Sequence, residues 1–191
     1  MVQMLQESKI IHLMGTVIEV SVVHENANAI INNVEKMLKM YEQRFSANDS
    51  GSELGQVNQA AGIQPVAVHP DLFELAQIGK KHSCEAGSLL NIAIGPLVQT
   101  WRIGFSDARV PDDVEIQQLL EITNPENIIL DPKIQSIYLT KPGMKIDLGA
   151  LAKGYIADRV IDYLRAEAVT SGLINLGGNL VVIGPAPRRE D

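Results

Sequence analysis

The run IILDPKIQSIYLTKPGMKIDLGALAKGYIADRVIDYLRAEA, residues 128–168, decides the kind of fold this chain takes. Its first half is cut by two turn dipeptides, Asp131-Pro132 and Pro142-Gly143, the second with the pattern of a type II turn. The pieces between them, 127–130, 134–140 and 144–147, are short and rich in β-branched residues, which predicts a three-strand meander. The second half changes period. Ala152, Ile156, Val160 and Leu164 recur every four residues, which predicts a helix over 150–168. Hairpins that feed a helix point to an α+β fold, with a mixed or antiparallel sheet and packed helices, rather than a doubly wound parallel sheet. Lys153 stands in the opening turn of that helix, where the dipole disfavours a cation. Either Asp147 or a bound phosphate would answer its charge.

Working outward, residues 173–176 and 180–183 read as two more strands around Gly177-Gly178-Asn179. Upstream, KIIHLMGTVIEVSVV, residues 9–23, alternates and is β-branched. It is either one strand bulged at Gly15 or two paired strands. Ala27, Ile30, Ile31, Val34, Met37, Leu38, Tyr41 and Phe45 form one helical stripe. Ser46 to Leu54 carries turn chemistry, and Ser52 is placed to cap a short helix reaching Asn58 or Ala60. Residues 65–69 predict a short strand. Pro70 and Asp71 open a helix that ends near Gly87. Pro96 favours a helical start over 97–101, and Pro111 opens an acidic-started helix. There is no internal repeat and no low-complexity linker, so residues 1–191 read as a single domain.

The chain is 46% hydrophobic but only 4% aromatic, so its core is mainly aliphatic. A net charge of −7 with no basic face argues against nucleic-acid binding. The single cysteine, Cys84, excludes an internal disulfide and a cysteine-based zinc site, and reads as a small core-facing thiol. The first residues lack the apolar core and cleavage site of a signal peptide. No apolar run reaches the ~18 residues of a membrane span, so the chain is expected to be soluble as given.

Among candidate site residues, Asp147 is either a helix-capping carboxylate or a polar anchor where backbone N–H groups face an anion. Gly149 would let a ligand approach the backbone, and the Ala150 carbonyl would face a hard cation. Asn91 is a polar amide between apolar runs and needs partners from protein or ligand. NLGGNL, residues 175–180, is a hairpin turn or a glycine turn lining a ligand, and it lacks the dinucleotide fingerprint. The four histidines are scattered and form no catalytic or metal pattern. Trp101 reads as core. Residues and spacing alone stop at an α+β domain with an anion site from Asp147 to Lys153.

The ordered set of motifs resembles the FAD:protein FMN transferase family, the ApbE type once called thiamine-biosynthesis lipoproteins. The motifs are Met14-Gly15-Thr16, then Arg44-Phe45-Ser46 with Ser52-Glu53-Leu54 and Asn58. Gly95-Pro96-Leu97-Val98 with Trp101 follows, then Ile146 to Ala150 with Lys153-Gly154-Tyr155 and Asp158, and finally Asn175 to Asn179. The resemblance implies an enzyme that uses FAD and Mg2+ to join FMN to a threonine hydroxyl of a target flavoprotein, releasing AMP. It implies FAD contacts at Met14, Leu90, Asn91, Asp147 and Lys153, and a magnesium ligand in the Ala150 main-chain oxygen. It also implies a membrane-anchored lipoprotein outside the cytoplasm, although no lipid-attachment cysteine stands near the start.

The sequence departs from the family pattern. Leu90-Asn91 replaces Phe-Asp, and Asn48 stands where a flavin-stacking tyrosine is common. Family members continue well beyond Asp191, with the remaining magnesium ligands and a histidine near the reacting phosphate in that part. The catalytic residues are therefore expected outside this chain, and weak or absent turnover is expected of it alone. The alternatives are a non-catalytic flavin-binding module, or an inactive fragment whose exposed strand edge pairs with a second copy or another chain.

Overall fold

A computed structural model describes residues 4–185, so the chain end at 186–191 lies outside the described residues. The fold is α+β, with antiparallel sheets. The chain divides into two compact units, residues 1–42 with 152–191, and residues 43–151.

In the first unit, β1 (Leu5–Leu13) and β2 (Thr16–His24) are two paired strands, not one bulged strand. Met14 and Gly15 make the turn, both at positive φ, 54° and 66°, which is the type I′ geometry of two-residue hairpins. Near the other end of the chain, β6 (Ser171–Leu176) and β7 (Asn179–Ile183) pair around Gly177 and Gly178, also at positive φ. The sheet order is β1-β2-β6-β7, antiparallel throughout. Alternation along the central strands buries Ile18, Val20, Val22, Ile174 and Leu176 on one face. Helix α1 (Ala27–Phe45) buries Ala27, Ile30, Ile31, Val34, Leu38 and Tyr41 every third or fourth residue. Tyr41 meets Tyr155 edge-on at 6.4 Å between ring centroids.

On the surface of this unit, Glu35 lies 2.7 Å from Lys39 and 2.5 Å from Lys9. Hydrogen bonds from Lys39 and Lys9 lower its pKa from an ordinary 4.5 to about 2. A depressed folded-state pKa means that the stabilisation is present above the unfolded value and lost as pH falls through the folded one. Glu35→Gln is expected to lower stability at neutral pH by about 0.5–1 kcal/mol, as for partly exposed pairs. Thermal melts should show the deficit shrinking between pH 4.5 and 2.

In the second unit, α2 (Glu53–Gln59) is capped as expected, Ser52 Oγ accepting from the Gly55 N–H at 2.8 Å. Strand β3 (Val66–Ala67) precedes α3 (Pro70–Ser83). A short 3-10 turn, Ile92–Ile94, runs into α4 (Gly95–Trp101), α5 (Asp113–Leu120) follows, and a second 3-10 turn, Pro125–Asn127, precedes the next strand. Strands β4 (Ile128–Asp131) and β5 (Ser136–Leu139) form the expected hairpin, but the sheet order is β3-β5-β4. The expected third strand of the meander, 144–147, is extended without joining a sheet. Its alternation is real, since Met144, Ile146 and Leu148 are buried. Its backbone partners, however, are a side-chain amide and the carbonyl that opens the 3-10 turn. The turn before it is as read: Gly143 has φ 80°, and the Met144 N–H donates to the Lys141 carbonyl at 3.3 Å. Helix α6 (Gly149–Ala166) then begins.

Three smaller expectations are corrected. Helix α3 stops at Ser83, short of Gly87, because the Cys84 N–H closes the last turn onto Lys80 and Lys81. Cys84 is consequently exposed, since the buried stripe of that helix ends at Gly79. Trp101, in the last turn of α4, is half-buried rather than core.

Candidate functional site

The 144–148 segment that leads into α6 is held by contacts within the second unit. Asn58 is buried in α2, and its amide grips the backbone of Ile146 from both sides. Its Oδ1 accepts the Ile146 N–H at 2.7 Å, and its Nδ2 donates to the Ile146 carbonyl at 3.0 Å. One residue on, the Asp147 N–H donates to the Ile92 carbonyl at 2.9 Å. The Asp147 carboxylate accepts the Gly149 N–H at 2.8 Å, two residues on, in a side-chain turn that leads into α6, with Asp147 half-exposed. A Cβ on residue 149 would stand 3.0 Å from that carboxylate oxygen, so glycine leaves the turn room. Ala150 is exposed in the first turn of α6, and Lys153 follows in the second turn rather than the opening one.

The 90–93 segment is ordered by its own polar groups. Asn91 Oδ1 accepts the Ala93 N–H at 2.8 Å, and its Nδ2 donates to the Thr123 carbonyl at 2.8 Å. The protein thus supplies partners to both ends of this amide. The Leu90 N–H donates to Ser88 Oγ at 3.2 Å. The Asp147–Ile92 bond ties this segment to the junction, so Leu90, Asn91, Asp147 and Ala150 belong to one connected construction.

Met14 and Lys153 belong to the first unit. There the Met14 turn and the NLGGN turn lie at the same end of the sheet. The Gly177 N–H donates to the Val17 carbonyl at 3.2 Å, and the Gly178 N–H to Asn175 Oδ1 at 2.8 Å. A Cβ on Gly177 would collide with Thr16. One on Gly154 would meet the Asn179 amide at 3.4 Å, which brings α6 next to Lys153 to that same sheet end. Among the described residues the Lys153 ammonium makes no hydrogen bond or ion pair. The hairpin reading of the glycines therefore holds.

Sequence reasoning missed the structural roles of Asn58 and Ile92. The signal for Asn58 was available: an amide next to Val57 and on the face of Leu54 in a short helix needs a buried partner. Nothing marked Ile92, which acts through its carbonyl.

A hard cation collects about six oxygens or more. Among the described residues, no group of three or more His, Cys, Asp or Glu is placed to hold a metal ion. The Ala150 carbonyl and the Asp147 carboxylate do not complete such a set. No helix among the described residues is long and apolar enough to cross a membrane.

This α+β architecture is the fold of the ApbE flavin transferases. The flavin transferase ApbE from Vibrio cholerae superposes with a TM-score of 0.87 at 22% identity, covering 96% of this chain and 61% of that one. The ApbE protein from Thermotoga maritima gives 0.87 at 25% identity, over 95% and 60%. The chain belongs to the ApbE family, whose model matches residues 14–191. It is 45% identical to an FAD:protein FMN transferase of Klebsiella pneumoniae, over 90% of this chain and 54% of that protein. It is 33% identical to one of Treponema pallidum, over 82% and 45%. The chain thus spans about half the length of these relatives.

Proposed function

We propose that this chain is the FAD-binding part of a flavin transferase that joins FMN to a threonine hydroxyl of a target flavoprotein. The observation that carries this reading is the Asp147–Gly149 junction, fixed by Asn58 and Ile92 at the start of an 18-residue helix. A helix start of this kind favours an anionic ligand. In the reaction the threonine oxygen attacks the FMN phosphorus, the pyrophosphate bond breaks, the hydroxyl proton is lost, and AMP leaves. Asp147 holds FAD by hydrogen bonding. The Lys153 ammonium, without a protein counter-ion among the described residues, offsets the charge of the diphosphate. Met14, Leu90 and Asn91 contact the flavin. Magnesium, with the Ala150 main-chain oxygen as one ligand, would neutralise phosphate charge.

A flavin-binding module without turnover is the second reading. The absence of a metal-binding group of acids among the described residues favours it. The separating experiment supplies FAD, Mg2+ and a threonine-bearing acceptor, then follows AMP release and the acceptor's mass. The 191-residue chain is expected to bind FAD and to release little or no AMP. Rapid AMP release with an FMN mass gain would overturn the second reading, and lack of FAD binding would overturn both. Lys153→Ala is expected to weaken FAD binding about tenfold, the size of one charge-assisted contact. Fluorescence titration checks it, and an unchanged Kd would remove Lys153 from the site. The outer edges of the four-stranded sheet, β1 and β7, suit a second copy of the chain. Sedimentation would report that assembly.

A further inference from the structure

Two-residue hairpin turns of the type I′ class usually place Asn, Asp or Gly at the first positive-φ position. This chain places Met14 there, at φ 54°. A side chain with a Cβ in the left-handed region costs roughly 1 kcal/mol or more, and such strain persists only where surrounding structure enforces it. The enforcing contact is specific. The Met14 N–H donates to Glu42 Oε1 at 2.6 Å, a carboxylate acceptor one turn before the end of α1. Glu42 and the Met14 turn line a surface hollow of about 390 Å³, with His12, Leu13, Thr16 and Val17. Strain and its restraint thus meet at one residue beside an open hollow.

We infer that Glu42 is a positioning residue, holding the Met14 turn in the one conformation that presents the methionine side chain to the flavin. The inference rests on the reading above that Met14 adjoins bound FAD. The bond to the amide needs an acceptor oxygen, not a charge, so the amide variant is informative.

FAD titrations with the 191-residue chain, followed by flavin fluorescence and absorbance, test it in a double-mutant cycle. Glu42→Ala is expected to weaken FAD binding about tenfold, while Glu42→Gln stays within about twofold of the parent. Met14→Ala, which keeps the turn but removes the side chain, should weaken binding by itself. Adding Glu42→Ala to Met14→Ala should weaken it little further, because both act through one contact. Full additivity, or equal losses for Glu42→Gln and Glu42→Ala, would overturn the positioning role. A loss for Met14→Ala with none for Glu42→Ala would overturn it alone. No loss for Met14→Ala would remove Met14 from the site, and the inference with it. Melting curves on each variant show whether a binding loss is only a folding loss, which would also overturn it.

Discussion

Asn58→Asp, a near-isosteric change, is expected to destabilise the protein by about 3–5 kcal/mol. The amide both accepts from and donates to Ile146, at 2.7 and 3.0 Å. Aspartate keeps the acceptor but loses the donor. Its second oxygen then faces the Ile146 carbonyl with no proton between them, in a site 9% exposed. For a chain of this size the melting temperature should fall by roughly 10 °C. The pH dependence separates this cause from a simple packing defect. Burial beside a carbonyl raises the folded-state pKa of the new carboxyl above its unfolded value. Stability relative to the parent is then greatest below the unfolded pKa and is lost as pH rises through the folded one. The deficit should therefore be smaller at pH 5 than at pH 8, because the protonated acid donates as the amide does. Asn58→Ala lacks both bonds and should show a deficit that pH does not change. A pH-independent Asn58→Asp deficit would contradict the two-sided grip on Ile146.

That grip also explains where the sequence was legible and where it was not. Local rules carried far. The stripe of α1, the Ser52 cap, the Pro142-Gly143 turn and the Gly177-Gly178 hairpin depend on neighbours within a few residues, and each stands as the pattern implies. Residues 144–147 failed because alternation reports burial, not the identity of the hydrogen-bond partner. Met144 and Ile146 are buried as a strand residue would be, but the partner of Ile146 lies 88 positions away. Cys84 failed for a related reason: its small apolar side chain suits a core, but a helix end one residue earlier places it in solvent. At the site, Asp147 and Asn91 were visible as polar residues at apolar boundaries. The Glu42 acceptor was not, since a glutamate near the end of an amphipathic helix reads as an ordinary surface charge.

Gly95→Ala is expected to cost about 2–3 kcal/mol and to weaken FAD binding, although alanine is the better helix former by about 1 kcal/mol. Glycine is buried at the start of α4 because the backbone of Lys145 passes against it. A Cβ there would lie 2.6 Å from the Lys145 carbonyl oxygen and 2.9 Å from its carbon. Both are backbone atoms, so no rotamer relieves the overlap. Either α4 or the 145–147 segment must move. The same 3-10 turn that leads into α4 supplies the Ile92 carbonyl bonded to the Asp147 N–H, so movement pulls on Asp147 directly. Gly79→Ala is the comparison. Its Cβ would approach Ile92 Cγ2 at 2.8 Å and Leu151 Cδ1 at 3.0 Å, side-chain rather than backbone atoms, the first on a buried β-branched residue that turns only with difficulty. Leu151 can shift and alanine gains helix propensity, but Ile92 must give way, so a smaller loss of about 1–2 kcal/mol is expected. Thermal melts and FAD titrations on the pair decide the matter. If Gly95→Ala melts as high as Gly79→Ala and binds FAD as well as the parent, the close approach of α4 to Lys145 does not govern Asp147.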